Sequence, residues 1–198
     1  MAKLNYRIVG ELKEIGIVPD YLERYGPSLL VGVVFGRKTL KEYTKGILRV
    51  IETLDGKIEP ITIVIGYSMG GLIARAITPK LNHVKKLILI GTPNQGIDER
   101  YLKPWTKMFL WRIKCVKDAF PNSDFLKRIN SDPPLKCEVF LIAGKKDRFV
   151  PLKSALGIPY VPKRHRFVFP LGHSELIPQQ ESSEEGAIEL IVQLSKNP

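Results

Sequence analysis

Two cysteines, Cys115 and Cys137, are all the chain of 198 residues contains, and their spacing fits no metal site. They read as small buried or half-buried thiols, with a single bridge as the alternative. No apolar run approaches the roughly 20 residues a membrane-spanning helix needs. The opening MAKLNYRIVGELKE has no apolar signal core, so a cytoplasmic location is expected. Glutamine and asparagine are few beside lysine, glutamate and arginine, a balance that suits a thermophile. There is no internal repeat and no low-complexity segment.

What is present is ordinary for a soluble globular protein: 44% hydrophobic and 26% charged residues. The length suffices for one substantial core, so residues 1–198 are expected to form a single domain. A formal charge of +11 raises the question of an anionic partner. The lysines and arginines are dispersed, and aromatic residues do not interleave with them. A role in solubility is therefore expected, and a nucleic-acid partner is not.

Apolar runs punctuated by glycine and proline give the organisation. Tyr6–Val9, Leu29–Phe35, the run around Ile61–Ile65, Leu87–Ile90, Glu138–Ala143 and Arg166–Phe169 read as strands. Val18–Tyr25 reads as a helix. Leu40, Tyr43, Ile47, Leu48, Ile51 and Leu54 recur at helical spacing, as do Ile188, Ile191 and Leu194 behind the capping signature Ser182-x-x-Glu185. Strands alternating with helices predict an α/β fold: about six mostly parallel strands, covered on both faces. In such sheets chemistry collects beyond the carboxyl ends of the strands.

One strand ends in Gly66-Tyr67-Ser68-Met69-Gly70, which fits G-x-S-x-G between a buried strand and the helix-compatible LIARAI. That context makes Ser68 a candidate nucleophile, held out of the sheet on a sharp turn. A serine hydroxyl needs a base, usually a histidine oriented by a carboxylate. Of three histidines, His83 and His165 fall at amino ends of strands. His173 follows the sixth strand in PLGHSEL and is the candidate base. Asp147, after the fifth strand in AGKKDRFVP, is the candidate acid, with Asp98 as the substitute. The order Ser68, Asp147, His173 differs from the chymotrypsin and subtilisin orders.

GYSMGG, IGTPNQG, AFPNSDFLKRIN, AGKKDRFVP and PLGHSEL together resemble the landmarks of the α/β-hydrolase superfamily, nearest its small lipases and esterases. The resemblance implies hydrolysis of an apolar acyl ester through an acyl-enzyme, without metal or organic cofactor. It implies oxyanion donors at the backbone N–H of Met69 and, in the first loop, of Glu11, where Val9-Gly10-Glu11 replaces the usual His-Gly pair. An acyl thioesterase would use the same three residues. A catalytically silent lipid- or partner-binding protein of the same fold is the remaining alternative.

Between Asp98 and Pro134 the alternation lapses, and a short helical cap over the site is expected there. Trp105, Met108, Phe109, Ile113 and Val116 recur at helical spacing. They would either pack on the sheet or, with Trp111, line an acyl pocket or rest on an anionic lipid surface. A monomer or weak homo-oligomer is expected.

Overall fold

Buried apolar runs become strands here because both faces of the sheet are covered. The computed structural model describes residues 28–31, 38–54, 60–97 and 113–177, together with 187, 190, 191, 193 and 194. Within these, five strands form one sheet in sequence order: β1 (Ser28–Val31), β2 (Ile63–Tyr67), β3 (Lys86–Ile90), β4 (Glu138–Gly144) and β5 (Arg166–Phe169). All four pairings are parallel, with Ile65 opposite Ile88, Ile88 opposite Phe140, and Ile142 opposite Phe167. The expected strand Tyr6–Val9 and the expected helix Val18–Tyr25 lie outside the described residues. So do residues 32–35 of the second expected strand.

Parallel neighbours in sequence order, joined by right-handed crossovers, put every crossover helix on the same face. These helices are α1 (Leu40–Leu54), α2 (Met69–Ile77), α3 (Lys114–Asp118), α4 (Asp124–Ser131) and α5 (Leu152–Ala155). Leu40, Ile47, Leu72, Ile73, Ile77, Val116 and Leu126 accordingly pack with Val64, Leu87, Leu89, Val139 and Leu141 from one side of the sheet. The alternate strand residues, Ile63, Ile65, Ile88, Ile90, Phe140 and Ile142, face the other side. There they meet Leu171, Leu176 and the helical residues Ala187 and Ile191. The described end of the Asp98–Pro134 interval packs into the first of these layers through Cys115, Val116, Phe125, Leu126 and Ile129. No strand occurs among its described residues. Both cysteines are free thiols, Cys115 buried and Cys137 half-buried. No helix among the described residues is long and apolar enough to cross a membrane.

Helix α1 starts at a capping box. The Thr39 N–H and hydroxyl donate to Glu42 Oε2 at 2.7 and 2.9 Å, and the Glu42 N–H donates to Thr39 Oγ1 at 3.1 Å. These bonds hold the Glu42 carboxyl below its ordinary value. A second cap comes from α3, where Asp118 Oδ2 accepts the Leu40 N–H at 2.6 Å. Burial raises the Asp118 pKa, against the lowering effect of the bonds from the Leu40 and Lys41 backbone.

Arg75, in the middle of the buried face of α2, is 6% exposed and meets only neutral acceptors in its hydrogen bonds. Its guanidinium donates to Asn94 Oδ1 at 3.3 Å, to the Ile129 carbonyl at 3.0 Å and to Asn130 Oδ1 at 2.9 Å. Asn94, fully buried, donates onward to the Ala155 carbonyl at 2.6 Å. One cation thus ties α2, α4, α5 and the loop after β3 together, and burial lowers its pKa. Arg75→Met keeps the apolar stem but leaves buried acceptors without donors, at about 1–3 kcal/mol each. The expected loss is about 3 kcal/mol, read as a fall of about 1.5 M in the urea midpoint at an m-value of about 2 kcal/mol/M. A fall below about 0.3 M would mean that water replaces the guanidinium without cost.

Candidate active site

The turn after β2 is wound more tightly than an ordinary side chain tolerates. Ser68 has φ 53° and ψ −129°, the one non-glycine positive φ among the described residues. Such backbone costs about 1–3 kcal/mol and persists only where the surroundings over-determine it. Here the Ser68 N–H donates to the Ile90 carbonyl at 2.8 Å, and the Gly71 N–H donates to the Ser68 carbonyl at 3.0 Å. Gly66 admits the first turn of α2 against the strand, since a Cβ there would overlap the Gly71 Cα and meet the Ala74 Cβ at 2.8 Å. Ser68 is left standing at the carboxyl end of β2. Met69, buried, opens α2, so its N–H belongs to the first turn, whose donors have no acceptor within the helix.

The second residue is held by its own turn. Asp147 follows β4, and its Oδ1 accepts the N–H groups of Phe149 and Val150 at 2.8 and 2.9 Å. Its side chain is 1% exposed. The third residue arrives from β5, three strands and about 14 Å from β2. The segment after β5 crosses the end of β4 at Gly144, whose missing Cβ leaves room for the Leu171 carbonyl. The Lys146 N–H donates to that carbonyl at 3.0 Å. The His173 ring then lies over the end of β3 at Gly91 (φ 53°), where a Cβ would stand 3.2 Å from the ring.

The result is a continuous hydrogen-bonded series: His173 Nε2 lies 2.9 Å from Ser68 Oγ, and His173 Nδ1 lies 2.6 Å from Asp147 Oδ2. With the ring proton on Nδ1, directed at the carboxylate, Nε2 is the free acceptor facing the hydroxyl. The structure therefore brings together Ser68, Asp147 and His173. The other histidines stand apart. His83 is exposed in the turn before β3, and His165 stacks on Phe140 at 4.4 Å, its Nε2 4.0 Å from Glu138 Oε1. Glu11, Asp98, Trp105, Phe109 and Trp111 lie outside the described residues.

Two aromatic residues that the sequence reading did not single out flank the His173 ring. Tyr67 lies at 5.2 Å between centroids, and its hydroxyl donates to the His173 carbonyl at 3.0 Å. Burial, with Asp147 nearby, raises that hydroxyl to about 12, so it remains a donor through the neutral range. Phe149 meets the ring edge-on at 5.7 Å. The signal for Tyr67 was its place inside the elbow motif, and for Phe149 its place two residues after the candidate acid. Away from this rim, a cavity of about 720 Å³ lies among α1, the end of α2 and the segment entering β4. Lys41, Lys45, Lys80, Arg128 and Lys136 line it with one carboxylate, Asp132, so charge dispersed in sequence partly gathers in space.

Residues 49–128 match a family model described as the α/β hydrolase fold. The match spans the elbow and stops short of Asp147 and His173. No curated protein is significantly similar to the sequence. Among solved structures, a monoacylglycerol lipase of Paleococcus ferrophilus is similar at 17% identity and TM-score 0.54, over 81% of this chain and 76% of that one. A putative hydrolase of Agrobacterium vitis S4 gives 18% identity and TM-score 0.55, over 83% and 70%. The esterase domain of a Rhodothermus marinus protein gives 18% and 0.50, over 76% and 67%. At such identities the likeness speaks for the fold alone. Taken with the parallel sheet and the strand-turn-helix around Ser68, these findings give the chain the α/β-hydrolase fold.

Proposed function

We propose that this protein is a serine carboxylester hydrolase acting on an apolar acyl ester through an acyl-enzyme. The observation that carries the reading is the unbroken contact from Ser68 Oγ through the His173 ring to Asp147. In this reading Ser68 Oγ attacks the ester carbonyl as its proton passes to Nε2. The carbonyl electrons move onto oxygen, and the resulting oxyanion takes hydrogen bonds from the Met69 N–H and, from the first loop, the Glu11 N–H. His173 then returns its proton to the departing alkoxide. Water repeats the sequence on the acyl-enzyme, freeing the acid and restoring the serine. Asp147 stabilises the imidazolium formed at each step. Trp105, Phe109 and Trp111 supply apolar surface for the acyl chain.

A fluorophosphonate probe tests this directly. Peptide mass spectrometry is expected to find the phosphonate on Ser68, with uptake lost in Ser68→Ala. Well-folded protein that takes up no label would favour a silent binding protein. If protein that is reactive to the probe, assayed before labelling, cleaved acyl thioesters and left p-nitrophenyl esters intact, the leaving atom would be sulfur and the ester assignment would fall.

A further inference from the structure

Phe149 is an exposed aromatic side chain packed against the ring of His173. Asp147 Oδ1 gathers the N–H groups of residues 149 and 150 into one turn, which fixes the direction of both side chains. Val150 points inward and is 2% exposed, while Phe149 points out and is 57% exposed. A single exposed apolar side chain needs no explanation by itself. This one, however, lies edge-on to the His173 ring, with Tyr67 also against that ring.

Hydrolysis gives that position a meaning. To protonate the departing alkoxide, His173 Nε2 must come within hydrogen-bond reach of the alcohol oxygen. The carbon chain of the alcohol therefore lies beside the imidazole, on its open side. The acyl chain is attached through the carbonyl carbon to Ser68 Oγ, and its oxyanion points toward the Met69 N–H at the start of α2. The two halves of the ester thus diverge at the serine, and Phe149 is an exposed apolar side chain packed on the same ring beside which the alcohol half lies. We infer that Phe149 forms the apolar subsite for the alcohol portion of the substrate and selects esters of alkyl or aryl alcohols over those of polar alcohols. This rests on the proposed ester hydrolysis. The alcohol departs before water attacks, so Phe149 acts on acylation and leaves deacylation untouched.

The test compares Phe149→Ala and Phe149→Leu with the native protein on two series of esters. In the first the acyl group is butyryl and the alcohol varies through methyl, butyl, benzyl and 2-hydroxyethyl. In the second the alcohol is methyl and the acyl chain lengthens. Variant-to-native ratios cancel the intrinsic reactivity of each ester, and fluorophosphonate titration counts the folded sites. Phe149→Ala is expected to lower kcat/KM for the benzyl and butyl esters about tenfold relative to the methyl and 2-hydroxyethyl esters, with Leu between. The acyl series should keep its slope. Equal losses across all alcohols, or a tilt in the acyl series, would overturn the subsite. An absence of labelling in folded native protein would instead overturn the hydrolase reading beneath it.

Discussion

Ser68→Ala is expected to lower ester turnover by about 10⁶-fold, His173→Ala by a similar factor, and the double variant by no more than either alone. The expectation follows from contact geometry. Ser68 Oγ and His173 Nε2 are 2.9 Å apart, so in the proposed mechanism nucleophile and base perform one step together. Removing either leaves the other nothing to do. What survives is binding and oxyanion stabilisation by backbone donors, which neither substitution touches. Steady-state turnover of p-nitrophenyl butyrate by the three variants measures this, provided the residual rate is separated from traces of native protein. If the two single losses multiplied in the double variant, each residue would be acting independently, and the shared proton transfer would be excluded.

Much of this arrangement was legible in the sequence for a simple reason. Strands buried on both faces read as unbroken apolar runs, and β2 to β4 each lie on such a run. Strand β5, last in the sheet order, is only half-buried with Val168 exposed, yet its FVF is still apolar. The observed strands reach a residue or two beyond the apolar letters, to Tyr67, Lys86 and Gly144, because ladder bonding continues where hydrophobicity stops. Ser68, Asp147 and His173 could be selected because each follows a strand at its carboxyl end. Other features were less visible. Thr39-Leu40-Lys41-Glu42 fits a capping box, yet Thr39 stands just outside the apolar period that begins at Leu40. The cap from Asp118 joins residues 78 apart, which no local pattern encodes. Arg75 within LIARAI reads as a solvent-facing break in a greasy helix. Only the packed fold shows that Asn94, Asn130 and the Ile129 carbonyl converge to receive it. Phe149 was obscure because RFVP suggests two equivalent apolar residues, and the turn around Asp147 is what sends one inward and the other out.

Asp147→Asn is expected to lower kcat by about 10⁴-fold while leaving the fold intact. The carboxylate uses its two oxygens differently. Oδ1 accepts two backbone N–H groups that shape the turn, and Oδ2 accepts from His173 Nδ1 at 2.6 Å. An asparagine has one oxygen to offer. If that oxygen keeps the turn, the amide NH₂ faces Nδ1, and a donor cannot face a donor. The ring then moves its proton to Nε2 and donates to Ser68 Oγ, so it cannot take the serine proton. If the oxygen turns to Nδ1 instead, the N–H groups of Phe149 and Val150 meet an amide donor and the turn opens. The first outcome leaves the thermal midpoint within about 2 °C of the native value, corresponding to under about 1 kcal/mol for a chain of this size. The second lowers the midpoint as well as the rate. A kcat loss of less than about tenfold would show that Asp147 holds only the turn, and Asp98→Asn would then be the variant to make, since an imidazolium formed at each step still requires a carboxylate to stabilise it.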